Sequence, residues 1–229
     1  MRYVLFLLIL TPITCGSPQE EKENNSSEAP LVPVTDLASW NAYDAAFSMA
    51  DLPWVKPVSF QNEWDSLFFE HPGFLSDGFD YPLGAPNGKG YYVAQGFGIN
   101  RHLGEDWNAV TGGNSDLGDT IYAISHGYIR FAEDPGGRWG NTIRMVHKVD
   151  EGTYVESLYA HCDEMLVVKG QWISRGEPIG TVGTANGAFL AHLHLELRDS
   201  LNMGMRSGYS RRKVGYRSPR EFIQSFRAR

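Results

Sequence analysis

His192-Leu193-His194-Leu195-Glu196-Leu197-Arg198 alternates without a break between ionisable and apolar residues. In an extended strand successive side chains point to opposite faces. Leu193, Leu195 and Leu197 therefore take one face, and His192, His194, Glu196 and Arg198 the other, as in a half-buried strand. Two imidazoles and a carboxylate on one face are costly unless something uses them, and a divalent metal with nitrogen and oxygen ligands is the usual user. Far upstream stands a second run, His102-Leu-Gly-Glu-Asp106. Each run is weak alone, since both patterns occur on strands and loops that bind no metal. Together they offer three protein ligands and one open position. His102, Asp106 and His194 would supply nitrogen, oxygen and nitrogen, with water in the fourth place and its pKa lowered towards neutrality. Spacing alone does not separate ligand from non-ligand histidine.

A further histidine, His161, follows a strand pattern over 154–159. No His-Glu-x-x-His helix is present to supply a glutamate base. A pair of imidazoles beside the metal, His161 with His192, would instead orient and deprotonate the water and support the oxyanion. His71, His126 and His147 lack such a context and read as structural or exposed.

Length and composition set the frame. The 229 residues allow one well-buried domain plus appendages. The 25 glycines, with many Tyr, Phe, Val, Ile and Thr, favour strands and turns over long helices. A formal net charge of −7 leaves no domain-wide basic surface and argues against nucleic acid as a partner.

Met1-Arg2 followed by the apolar run 4–10 has the length of a signal-peptide core and is too short to span a bilayer. Cys15, followed by Gly16-Ser17, sits where a bacterial lipoprotein signal places its acylated cysteine, although Pro12 and Thr14 depart from the usual residues. Residues 1–15 thus read as an export signal of the lipoprotein type, placing the protein in the cell envelope with a lipid anchor at Cys15 as its membrane contact. Cys162 is then left unpaired, and no disulfide framework supports the fold. Residues 16–35, rich in Glu, Asn, Ser and Pro, read as a flexible acidic spacer.

Residues 36–77 read as an aromatic, helical extension. Leu37, Trp40, Tyr43 and Phe47 space one helix, and Phe60, Trp64, Leu67 and Phe68 a second that Pro72-Gly73 stops. Residues 78–205 read as the main domain, with strands over 90–95, 120–131, 141–148, 153–161 and 192–198 between glycine-rich turns. Residues 206–229 carry a basic cluster, and Ser218-Pro-Arg-Glu221 opens a short terminal helix with a capping box.

Over roughly residues 79–198 the chain resembles the lysostaphin/LytM-type zinc endopeptidases, which cut peptides of bacterial peptidoglycan. The resemblance rests on ordered matches: Gly96-Phe-Gly98, His102-Leu-Gly104-Glu-Asp106, Gly118-Asp-Thr-Ile121, Gly140-Asn-Thr-Ile143, Tyr159-Ala-His161, Val168-x-Lys-Gly170, Ile179-Gly-x-x-Gly183 and His192-Leu-His194. It implies a mainly β fold, an antiparallel sheet groove with zinc at its floor and short flanking helices. It also implies that His102, Asp106 and His194 bind Zn2+, that His161 and His192 form the catalytic pair, and that Glu196 at most supports the site. Peptidoglycan peptides would be the substrate.

The chain departs from the family pattern in three places. Cys162 replaces a usual Leu, Ala191 replaces a usual Pro, and the turn Thr184-Ala-Asn-Gly-Ala-Phe-Leu190 is worded differently. These changes bear on the groove wall rather than the metal site, and Cys162 is expected as a small buried hydrophobe. The same resemblance admits a non-catalytic wall-binding or amidase-activating module, although such members typically lose zinc ligands. The related D-Ala-D-Ala carboxypeptidases show a longer gap between the first His and the Asp, so the three-residue gap from His102 to Asp106 weighs against that alternative.

Overall fold

The computed structural model describes residues 62–227. The export signal, Cys15, the spacer, the first expected helix and Phe60 lie outside the described residues.

The described chain opens on helix α1 (Glu63–Phe69), capped by Asn62, whose side chain accepts from the backbone N–H groups of Trp64 and Asp65. Its apolar stripe is the expected one. Phe68 packs 4.9 Å from Trp172 and 5.6 Å from Tyr154, and Trp64 lies against Tyr128. A single turn of 3-10 helix, Pro72–Phe74, ends the segment.

Ten strands follow: β1 (Tyr91–Gln95), β2 (Glu105–Ala109), β3 (Thr120–Tyr122), β4 (Gly127–Glu133), β5 (Asn141–Asp150), β6 (Thr153–Met165), β7 (Trp172–Ile173), β8 (Pro178–Val182), β9 (Leu193–Arg198) and β10 (Tyr216–Arg217). Helix α2 (Pro219–Ser225) follows them, with Ser218 as the expected N-cap and proline in its first turn. Every pairing between these strands is antiparallel. The main path of the sheet runs β1-β2-β9-β6-β5-β4-β7, while β8 joins β3 to the far half of β6. The fold is mainly β and antiparallel, as expected.

Two local expectations are corrected. Residues 120–131 do not form one strand, because β3 pairs with β8 whereas β4 pairs with β5 and β7. The chain breaks over 123–126 to change partners, and Ala123 N–H bonds the Glu177 carbonyl there. Strand β9 is also not half-buried: all six of its residues are buried. Its leucines join the main core with Ile129, Ile143, Tyr159 and Ile179. On its other face Arg198 reaches Glu156, whose partners Arg144 and Arg130 donate to the carbonyls of Met203, at 2.7 Å, and Leu201.

Candidate metal centre and its groove

Asp106 and His194 face each other directly across β2 and β9. Directly opposed residues share a face of the sheet, and Asp106 Oδ1 lies 2.9 Å from His194 Nδ1. His102 arrives just ahead of β2, from a tight turn in which Asn100 and Arg101 have positive φ of 50° and 71°. Its Nε2 stands 3.0 Å from His194 Nδ1 and 3.3 Å from Asp106 Oδ1. Gly104 permits this approach: a Cβ there would lie 2.4 Å from the Leu195 carbonyl oxygen and 3.0 Å from the His194 ring. That explains the glycine inside His-x-Gly-x-Asp.

The three donors fit a metal by their geometry. A tetrahedral ion with ligand bonds of about 2.0–2.1 Å separates its ligands by roughly 3.3–3.4 Å, close to the 2.9–3.3 Å seen here. His102 Nδ1 is buried without a hydrogen-bond partner, so Nε2 is the ring nitrogen committed to the cluster. Among the described residues, His102, Asp106 and His194 form the one group of three or more such side chains placed to hold an ion.

His161 and His192 stand beside this cluster. The rings of His161 and His192 are 4.8 Å apart, and His161 is 5.5 Å from His194. His161 sits where β6 leaves β9, after the Ala160–His194 pair, and joins β8 at Cys162. The register with β5 slips there, and His161 takes φ = 67°. A bulge of this kind re-aims a side chain, and here it turns the imidazole into the groove. Its Nδ1 donates to the Trp139 carbonyl at 3.0 Å, and His192 Nδ1 donates to that of Leu190 at 2.8 Å. A carbonyl only accepts, so each ring keeps a proton on Nδ1 and leaves Nε2 for the site, that of His192 standing 3.8 Å from Asp106 Oδ1. Burial, reinforced by the neighbouring imidazoles of His194 and His192, pushes the His161 pKa down to about 3 and keeps that ring neutral.

The groove above these residues has a volume of about 660 Å³ and is walled by Gln95, Arg138, Trp139, Phe189 and Tyr209. Of the expected extension 36–77, only residues 62–77 are described, and none of them lines it. Sequence reasoning singled out the turn carrying Phe189 but missed Trp139, Arg138 and Tyr209. The Tyr209 wall exists because residues 208–210 pair with 101–103, through Leu103 N–H to the Gly208 carbonyl and Ser210 N–H to that of Arg101.

The family model for Peptidase family M23 matches residues 100–205. The lipoprotein NlpD of Yersinia enterocolitica is 35% identical over 81 residues, which cover 35% of this chain and 78% of that protein. The chain belongs to peptidase family M23. The murein hydrolase activator EnvC of Escherichia coli K12 is 30% identical over 122 residues, 51% of this chain and 27% of that protein. The chain thus spans about a quarter of EnvC. The catalytic domain of lysostaphin from Staphylococcus simulans superposes with a TM-score of 0.41 at 23% identity, covering 64% of this chain and 89% of that one.

In this M23 chain the residues beyond the donors form a continuous buried network. His194 Nε2 faces Glu196 Oε1 at 3.3 Å, and Arg198 donates to Glu196 Oε2 through Nε and Nη2 at 2.8 and 2.6 Å. Arg198 then reaches Glu156, which Arg144 and Arg130 also hold. Burial would raise the Glu196 pKa, but His194 and Arg198 outweigh it and hold the carboxylate ionised. The remaining histidines fall outside the groove. His147 is buried, bonded to the His126 carbonyl and Ser157, and burial lowers its pKa to about 4. Cys162 is buried as well, with its thiol pushed up to about 12, a structural rather than reactive thiol.

Proposed function

We propose that this protein is a zinc endopeptidase of the cell envelope that hydrolyses peptide bonds of peptidoglycan, with His102, Asp106 and His194 as ligands. The observation carrying this proposal is the convergence of three donors within 3.3 Å at the floor of a groove, beside two imidazoles with free Nε2 atoms. Zinc in such a site supplies Lewis acidity, polarising the scissile carbonyl and making a water acidic enough to ionise near neutral pH. The chain's own part is proton handling. His161 Nε2 takes the proton from the attacking water, and His192, whose Nδ1–H stays on the Leu190 carbonyl, supports the oxyanion and passes a proton to the leaving amine only after its Nε2 has taken one up and the ring has become an imidazolium. Trp139 and Leu190, through their carbonyls, keep the Nδ1 proton in place on both rings, so that Nε2 is the atom that takes up and gives back the travelling proton. Relatives named as lipoproteins support an envelope location reached through lipidation of Cys15.

A second function is favoured by the names of the relatives, several of which are murein hydrolase activators. A purely binding module, however, has no use for three converging donors and two tautomer-fixed bases. Digesting sacculi with zinc-loaded protein and identifying muropeptides by mass separates the two. New amine ends without any other hydrolase support the peptidase; release only when an amidase is added overturns it in favour of the activator.

Two further results are expected. Glu196→Gln removes the charge that orients His194 while keeping the side chain's shape. It should weaken zinc binding about 10- to 100-fold in a chelator competition.

The second result concerns pH. In metal-free protein, burial would lower the His194 pKa, but Asp106 and Glu196 outweigh it and push it up to about 9. This proton stabilises the metal-free fold below the ordinary histidine value of about 6.5, and its contribution is lost as pH rises towards 9. Zinc must also displace that proton, so it binds better over the same range. The difference in melting temperature between zinc-loaded and chelated protein should therefore widen from pH 6.5 to 9. A constant or narrowing gap would place the proton elsewhere.

A further inference from the structure

Arg138 is the one arginine or lysine lining the groove, and the carboxylate that lines it, Asp106, is committed to the donor cluster. The Arg138 guanidinium lies 4.3 Å over the ring of Phe189. That ring packs 4.9 Å from His161 and 5.6 Å from His192. One aromatic ring thus separates the guanidinium from both imidazoles. Among the described residues Arg138 makes no ion pair, in contrast to Arg144, Arg175 and Arg198.

Its position is held from several sides. Asp134 accepts from Gly136 N–H at 2.7 Å and from Asn186 Nδ2 at 3.1 Å, tying the Arg138 loop to the Phe189 turn. The next residue, Trp139, uses its carbonyl to bond both the backbone N–H and Nδ1 of His161. Stacking on an aromatic face limits the side chain's freedom but leaves the edge of the fork available. That edge matches a carboxylate with two parallel hydrogen bonds.

We propose that Arg138 is a specificity residue that binds a free carboxylate next to the scissile amide. On this basis, which rests on the peptidase function above, the preferred substrate carries an α-carboxylate on the amine side of the bond. A direct D-Ala-diaminopimelate cross-link has that chemistry, and a Gly-Gly bridge does not. Glycine bridges would leave the guanidinium unpaired in the groove, whereas a carboxylate neutralises it where Phe189 places it beside the bond to be cut.

The test uses two synthetic cross-linked peptides, identical except that one carries the α-carboxylate and the other its carboxamide. Hydrolysis is followed with wild-type and Arg138→Ala protein, and binding is measured by calorimetry with His161→Ala and with the His161→Ala/Arg138→Ala double variant. Wild-type protein should prefer the carboxylate peptide by about 10- to 100-fold in kcat/KM, chiefly through KM. Arg138→Ala should abolish the preference, its kcat/KM becoming equal for the two peptides, and binding should follow the same pattern. Equal use of both peptides by wild-type protein, or a preference that survives Arg138→Ala, overturns the role of Arg138 and leaves the peptidase intact. Binding that depends on Arg138 without hydrolysis of either peptide sustains carboxylate recognition and overturns the peptidase.

Discussion

His194→Ala is expected to yield a folded protein that holds no zinc and cleaves no peptidoglycan. His194 Nδ1 is the donor shared by the other two, 2.9 Å from Asp106 Oδ1 and 3.0 Å from His102 Nε2. Its loss leaves one nitrogen and one oxygen, too few for a three-ligand site with an open position. The fold survives because the leucine face of β9 is untouched and Arg198 still pairs with Glu196. Glu196 Oε1 loses its partner in a buried place, which costs about 1–3 kcal/mol. Metal analysis after purification in zinc, a thermal melt and a sacculus digestion together check this. A variant that retains stoichiometric zinc removes His194 from the ligand set.

The contrasting variant is His161→Ala, which should keep its zinc and lose activity by about 10²- to 10⁴-fold, the usual contribution of a positioned proton carrier. His161 approaches the cluster only through ring contacts, and its Nδ1 is occupied by the Trp139 carbonyl. Its left-handed backbone, φ = 67°, suits histidine somewhat better than alanine, so a thermal melt is run beside the rate to show that the variant is folded. Zinc content measured beside the rate distinguishes the two histidine roles. If His161→Ala and His194→Ala lose metal equally, the division between ligand and proton carrier is wrong.

Where sequence reasoning succeeded, the signal was local. The alternation 192–198 is a strand signature because side chains on a strand reverse every residue, and the leucines of that run do lie in the core. The Ser218 cap and the Trp64–Phe68 stripe were legible for the same reason, since each depends on residues within a turn of one another. Strand β2 went unread although it carries Asp106. Its sequence Glu-Asp-Trp-Asn-Ala is too polar to announce burial, and the buried Glu105 carboxylate is met by the Ser218 hydroxyl and the Arg220 N–H at the start of α2. The split of residues 120–131 was equally hidden, because a strand ends where its partner ends and the partners lie elsewhere in the chain.

By itself the sequence determined the side-chain types and their local spacing, His102 with Asp106 and His192 with His194, because the chemistry open to a side chain is written in its identity. It also determined the antiparallel β character, through hydrophobic period and glycine-rich turns. Only the tertiary structure decided that β2 and β9 pair with Asp106 opposite His194 and that a bulge in β6 turns His161 towards them. It alone also showed that the charged face of β9 is buried, and that Arg138, Phe189 and Tyr209 meet around one groove. Such arrangements depend on strand register and loop packing between distant segments, and neither leaves a periodic trace in the chain.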